Sequence, residues 1–294
     1  MALTKIEAAK LSNDLLLRGV IETVVKESSI LNYLPFMQVT GTAVTYNREA
    51  TMPAAAFYDP GDTWAEATPT FTQHTAQLAI LGGDADVDNF LQATYADTND
   101  IEAEVVANRA KAVAHAFSDS FFNGNVATNP KSFDGLHRLI PAGQTISAGT
   151  NGAALTLDMM DQLIDRVQPG RPELLFMSKR TRRKLKDLRR SSGNVLETSI
   201  NQFGQQVEMY DGIPIVVDDF ILDTQTVGSG NNLSSIYAVK FGQGAGVLGL
   251  EHGGITVERV GELETKDATR TRIKWYCGLG LFSQLGAAKL VGIS

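Results

Sequence analysis

Residues Thr42–Leu81 read as a long two-stranded finger with no core of its own, followed at once by an alanine-rich helical stretch. Thr42–Glu49 and Phe71–Leu81 are rich in β-branched and aromatic residues, as strands are. Between them Pro53, Pro60, Gly61 and Pro69 interrupt regular structure, while Phe57, Tyr58 and Trp64 add apolar surface to the tip. An isolated hairpin is marginally stable in water, so a finger this long must lie against something. That support is either its own domain or a neighbouring subunit. The second is expected here, with Phe57, Tyr58 and Trp64 as the inter-subunit contact residues.

The rest of the composition sets bounds. A chain of 294 residues, 43% hydrophobic and 20% charged, can build a sizeable core in one large domain or two. No run approaches the roughly 18 apolar residues of a membrane span. Met1–Lys10 lacks the apolar segment of a secretory signal. The expectation is a soluble protein made in the cytoplasm, with no membrane partner. The single cysteine, Cys277, excludes an intramolecular disulfide and reads as a small buried hydrophobe in a strand pattern. A net charge of −7 argues against a dedicated nucleic-acid reader. Lys179–Arg190 runs against that average, with Leu185 and Leu188 as its only apolar anchors at helical spacing. Its cations Lys179, Arg180, Arg182, Arg183, Lys186, Arg189 and Arg190 have two readings: a solvated face paired with acidic neighbours, or contact with a polyanion.

Along the chain, Leu3, Ile6, Leu11, Leu15 and Leu16 form a loose helical pattern, with further apolar residues from Val20 to Leu34; this reads as an arm packing outside its own core. After the finger, Asp84, Asp86 and Asp88 would share one side of a strand. A calcium loop would need Gly at its sixth position and a carboxylate at its twelfth, where Asn89 and Tyr95 stand, so an ion-paired or solvated acidic face is expected. A spine helix is expected from Asn99, capped there with Glu102 completing a capping box. Its stripe is Ile101, Val105, Val113, Phe117 and Phe121, widened by Val106 and Ala110, and interspersed alanines slim it for close packing. Asn123-Gly124-Asn125 stops it. Pro141–Ala153 reads as a connector between two lobes. Thr156 caps a second helix and Ser178 caps the basic one, with Leu174–Met177 as a buried strand between them. Strands are expected at Gln206–Tyr210, Ile213–Val217, Ser234–Phe241, Ile255–Val260, Thr271–Phe282 and Ala287–Ile293, with Asp211-Gly212 as a turn. The whole is α+β with a β-rich C-terminal half.

Catalytic patterns are sparse. His74, His115, His137 and His252 have no metal-ligand spacing, and the chain has no nucleophile elbow or phosphate loop, so no catalytic, metal or cofactor residue is assigned. Gly244–Gly249 matches the spacing of a dinucleotide fingerprint, but that motif works because a helix begins there, and the residues after Gly249 read as a turn and a strand. Two readings of another class therefore rest on single features: a dinucleotide-binding enzyme on these glycines, and a DNA-binding module on Lys179–Arg190.

The order of elements resembles the major capsid proteins of tailed bacteriophages, whose fold is shared with encapsulin shells and herpesvirus capsid floors. The resemblance is carried by the arm, the finger with Pro53–Pro60 at its tip, the spine Asn99–Asn123, Phe133–Leu136, Leu174–Lys179, Asp211–Val217, Thr271–Tyr276 and Ala287–Val291. It implies an arm (1–41), an extended loop (42–82), a peripheral domain with the spine helix (83–144 and 250–284) and an axial α+β domain (145–249 and 285–294). It also implies an icosahedral virion shell of pentamers and hexamers, assembled in the host cytoplasm around non-specifically held double-stranded DNA, with portal and decoration proteins as partners. An encapsulin-type compartment is the alternative of the same class. Some members weld their shells through a lysine in the extended loop, and Thr42–Leu81 has no lysine, so non-covalent contacts are implied. Others carry a long N-terminal scaffolding region; here the arm begins at Met1, which implies a separate scaffolding protein or none.

Overall fold

The computed structural model describes residues 30–90, 101–193, 196–200 and 206–294. The expected arm up to residue 29 and the expected Asn99 cap lie outside the described residues.

Two sheets and one helix organise the fold. The smaller sheet has the order β1-β12-β13-β4, from β1 (Phe36–Gln38), β4 (Ala79–Asp88), β12 (Val247–Leu263) and β13 (Lys266–Leu281). The larger sheet runs β5 (Thr145–Ser147), β14 (Ala287–Ile293), β11 (Gly230–Val239), β6 (Leu174–Met177), β9 (Ile213–Val217), β8 (Gln206–Tyr210), β7 (Glu197–Ile200), with β10 (Gln225–Val227) beside β11. The finger, β2 (Ala43–Thr51) and β3 (Thr70–Gln77), is a separate two-stranded sheet. The helices are α1 (Ile101–Asn123), the short α2 (Leu136–Leu139), α3 (Leu157–Asp165) and α4 (Lys179–Ser191).

Alternation within single strands explains how the larger sheet is covered on both faces. Leu175 and Met177 of β6, Ile236 and Ala238 of β11, and Ala288 and Leu290 of β14 join one core with Met160, Leu163 and Ile164 of α3 and Leu185 of α4. Their neighbours Leu174, Phe176, Tyr237, Val239 and Ala287 point the other way, into a core shared with α1. A continuous apolar run such as Leu-Leu-Phe-Met is what a strand buried on both faces requires.

The spine α1 ties the sheets together. Val106, Ala110, Val113, Ala114, Phe117, Phe121 and Phe122 are buried along it. Of its alanines only Ala110 and Ala114 are buried, and these allow the close approach. A chain of rings runs the length of the contact. Trp275 and Phe36 of the smaller sheet lie 4.7 and 5.9 Å from Phe117. Phe121 and Phe122 then reach Phe176 at 6.0 and 5.6 Å, and Phe122 reaches Tyr237 at 5.5 Å. Such tilted and edge-on pairs contribute about 0.5–1.5 kcal/mol each beyond area burial.

The spine ends where Gly124 and Gly135 pass each other, Gly135 N–H donating to the Gly124 carbonyl at 2.9 Å. A Cβ on Gly124 would press into the carbonyls of Phe133 and Ser120. Gly124→Ala is therefore expected to cost roughly 1–3 kcal/mol by forcing backbone apart; a denaturant midpoint equal to that of the unaltered chain would remove this explanation.

Three expectations need correction. The return strand breaks at Leu78, so Phe71–Leu81 is split between the finger and the smaller sheet. Pro141–Ala153 is more than a connector: β5 within it pairs in parallel with β14, Ile146 opposite Leu290, because Ile146 has a core to enter. The finger is not wholly without a core, since Val44 and Tyr46 at its root pack against the body.

Candidate assembly surfaces

The finger has a fixed root and a free tip. In β2, Val44, Tyr46 and Arg48 alternate toward the body, and in β3 His74 and Ala76 do the same. Val44 and Tyr46 pack with Val39, Ala76, Leu250 and Phe282 in a small third core. The Tyr46 ring is 4.5 Å from that of Phe282, and its hydroxyl donates to the Leu281 carbonyl at 2.8 Å. Arg48 donates to the Phe282 carbonyl at 3.0 Å and to that of Leu281. The coreless finger is thus coreless only beyond Arg48. This anchor was missed in the sequence; its signal was the same-face spacing of Val44, Tyr46 and Arg48, but the partners lie more than 200 residues away.

Beyond the root, every residue from Glu49 to Gln73 is exposed except Tyr58. Phe57 is fully exposed and Trp64 is 78% exposed, with Met52 and Phe71 also bare. Tyr58 differs from the other two expected contact residues. It stacks on Trp64 at 4.6 Å and its hydroxyl accepts from the Ala65 N–H at 3.0 Å, so it shapes the tip and presents the Trp64 ring. Glu49, Asp59, Asp62 and Glu66 are the only charged side chains of the tip, giving it an apolar surface with an acidic rim.

The basic helix α4 is held by its own chain. Ser178 caps it by accepting from the Thr181 N–H, and Leu185 anchors it. Lys179 pairs with Asp219 at 2.7 Å, Arg180 with Asp223 at 3.5 Å, Lys186 with Glu208, and Arg190 with Asp187 at 3.5 Å. Arg182 approaches Glu208 at 3.9 Å, and Arg189 lies 4.8 Å above the Tyr210 ring. Arg183 stands with no such partner among the described residues. The arrangement therefore favours the reading in which the helix pairs with acidic neighbours.

The alternating aspartates sit on β4 and face β13. Arg272 grips Asp84 through two hydrogen bonds of 2.7 and 2.9 Å, and Arg270 grips Asp86 through two of 2.6 and 2.7 Å. The hydrogen bonds from Arg272 hold Asp84 below the usual aspartate range, and those from Arg270 do the same for Asp86. A carboxyl lowered in the folded state stabilises it above the unfolded aspartate value of about 4, and that contribution is lost as pH falls through the lowered folded value. The Asp84→Asn/Asp86→Asn variant is accordingly expected to lose less of its urea resistance than the unaltered chain between pH 5 and about pH 2; parallel acid profiles for the two would contradict this role.

The four histidines are scattered. His74 contacts Arg48 at 3.4 Å, the His115 ring lies 5.5 Å from that of Phe220, His137 meets Tyr237 at 3.2 Å, and His252 lies 2.7 Å from the Val39 carbonyl. Among the described residues no group of three or more His, Cys, Asp or Glu is gathered to hold a metal ion. Cys277 is fully buried, and burial pushes its thiol up, which suits packing rather than reactivity. The glycine run of Gly244–Gly249 leads into strand β12, with no helix N-terminus to receive a pyrophosphate. Gly249 has another use: a Cβ there would lie 2.6 Å from the Phe36 ring.

A family model described as the phage capsid family matches residues 11–292. No curated protein sequence matches the chain. Among solved structures, the holo-SrpI encapsulin complex of Synechococcus elongatus PCC 7942 is similar with a TM-score of 0.74 at 18% identity, over 100% of this chain and 97% of that one. Mycobacterium phage Bobi gives 0.64 at 15% identity over 90% of each chain. A virus-like particle from Pyrococcus furiosus gives 0.56 at 12% identity over 95% of this chain and 99% of that one. At these identities the likeness establishes the fold.

Proposed function

The chain belongs to the phage capsid family, and from that premise we propose that it is the major shell protein of a tailed bacteriophage, closing around double-stranded DNA through non-covalent contacts and without enzymatic turnover. The observation that carries this reading is the finger: its root is fixed by Tyr46 and Arg48, yet its tip exposes Phe57 and Trp64 to solvent. Large bare rings on a projecting element mark an interaction site, and in a closed homo-oligomer every copy supplies both the ring and its receiver.

In this reading residues 1–41 form the arm, 42–82 the extended loop, 83–144 with 250–284 the peripheral domain, and 145–249 with 285–294 the axial domain that gathers copies into pentamers and hexamers. Assembly takes place in the host cytoplasm, with a scaffolding protein, a portal and decoration proteins as further partners. Any contact with the packaged DNA falls to Arg183 and the outer cations of α4. The paired state of the other cations supports a weak, sequence-independent contact.

A second reading, an encapsulin-type compartment, is supported by the full-length likeness to the Synechococcus elongatus shell. The contents of particles purified from the native source decide between them. Nuclease-protected double-stranded DNA is expected; an enclosed cargo protein in its place would favour the compartment.

A further inference from the structure

The larger sheet carries a cavity of mixed polar and apolar lining beyond the end of the spine helix. Lys289 on β14 is the cross-strand partner of Tyr237 on β11 and of Thr145 on β5. With Asn123, His137 and Gln225 it lines an open-mouthed cavity of about 390 Å³, whose apolar wall is Leu222, Val227 and Val291. Lys289 is 9% exposed and forms no ion pair among the described residues; its ammonium donates to the His137 carbonyl. An ammonium has three N–H donors, and one is used. His137 adds no second positive charge, since burial and then the nearby Lys289 hold its imidazole below the usual range. Burial also lowers the Lys289 ammonium. A buried cation without a counter-charge is costly, and the cost is relieved when an anion enters beside it.

The other polar groups narrow the choice of ligand. The Thr145 hydroxyl donates to the Pro141 carbonyl at 3.0 Å, and the Asn123 amide to Asp119 and to the Phe220 carbonyl, both at 2.9 Å. The Gln225 side-chain oxygen accepts from Ser235 and its amide also meets the Tyr237 hydroxyl, leaving one N–H of its NH2 group as a donor. Two N–H groups of Lys289 and one of Gln225 are therefore left to donate at a space with one apolar wall.

We propose that this cavity binds a small carboxylate with a short apolar body, its oxygens accepting from Lys289 and Gln225 and its carbon chain lying along Leu222, Val227 and Val291. The site is independent of whether the chain forms a virion shell or a compartment.

The test is competitive labelling of amines on the full-length protein, read by mass spectrometry at Lys289, with butyrate as the probe and butyramide as its uncharged counterpart. Butyrate at several times its Kd is expected to slow labelling of Lys289 about fivefold or more, with butyramide without effect. Phosphate at equal ionic strength is expected to protect far less, because it has nothing to place on the apolar wall. A second readout is the melting temperature, which butyrate should raise in the unaltered chain and leave unchanged in Lys289→Met. Should that variant fail to fold, the labelling experiment decides alone. No protection by butyrate, or equal protection by butyramide or phosphate, would overturn the proposal.

Discussion

Removal of Ala54–Thr68 from the finger is expected to leave a subunit that folds and melts like the full chain but does not close into shells. The deleted residues are exposed apart from Tyr58, whose stacking and hydrogen-bond partners, Trp64 and Ala65, go with it. Everything that fixes the finger to the body is retained: Val44, Tyr46 and Arg48, the Phe282 ring, and the β2–β3 register from Ala43 opposite Gln77 to Glu49 opposite Phe71. The loss is confined to the bare surface. At about 25 cal/mol per Å², burying a ring of roughly 150–250 Å² on a neighbour stabilises by on the order of 4–6 kcal/mol as an upper estimate. That contribution recurs at every copy of a closed assembly, so even half of it moves the equilibrium from shells to free subunits. Negative-stain microscopy and sedimentation read the outcome. Particles of normal size and yield from the deletion would refute the finger's role, while an unfolded product would show that the tip serves its own subunit.

Phe122→Ala is expected to cause the largest loss of subunit stability, about 3–5 kcal/mol. Phe122 is completely buried where the spine meets the larger sheet, 5.1 Å from Phe121, 5.6 Å from Phe176 and 5.5 Å from Tyr237. Its removal opens a void between elements that cannot collapse together, because α1 is also fixed to the smaller sheet through Phe117 and Trp275. Denaturant unfolding of the variant measures it; a loss under about 1 kcal/mol would mean that the two sheets are held together elsewhere. A subunit weakened here is also expected to assemble poorly, although its tip is intact.

Local signals were legible in the sequence. Leu174–Met177, Gln206–Tyr210, Ile213–Val217 and Ala287–Ile293 lie where their apolar runs and turn residues place them. Thr156 and Ser178 cap their helices with side-chain oxygens as expected, and Asp211 takes a positive φ of 50° in the turn before Gly212. The phage-capsid fold followed from the order of these elements. The features that escaped were decided over long distances. Nothing near Leu78 announces that the return strand leaves the finger to join β13. The short strands β7 and β10 carry little apolar periodicity and form because β8 and β11 offer edges beside them. The charges of α4 were legible as a basic face, but Asp219, Asp223 and Glu208, which neutralise much of it, come from later segments. The apolar residues of the finger tip were legible, whereas the turning of Tyr58 onto Trp64 depends on the tip's own folding.

Light scattering on the purified full-length chain, with microscopy of the same sample, tests self-assembly most directly. Hollow particles of megadalton mass are expected, built from copies of the 31.7 kDa chain and breaking down to smaller species when the finger tip is removed. A single compact species near the mass of one chain, at every concentration and ionic strength tried, would contradict assembly through the finger.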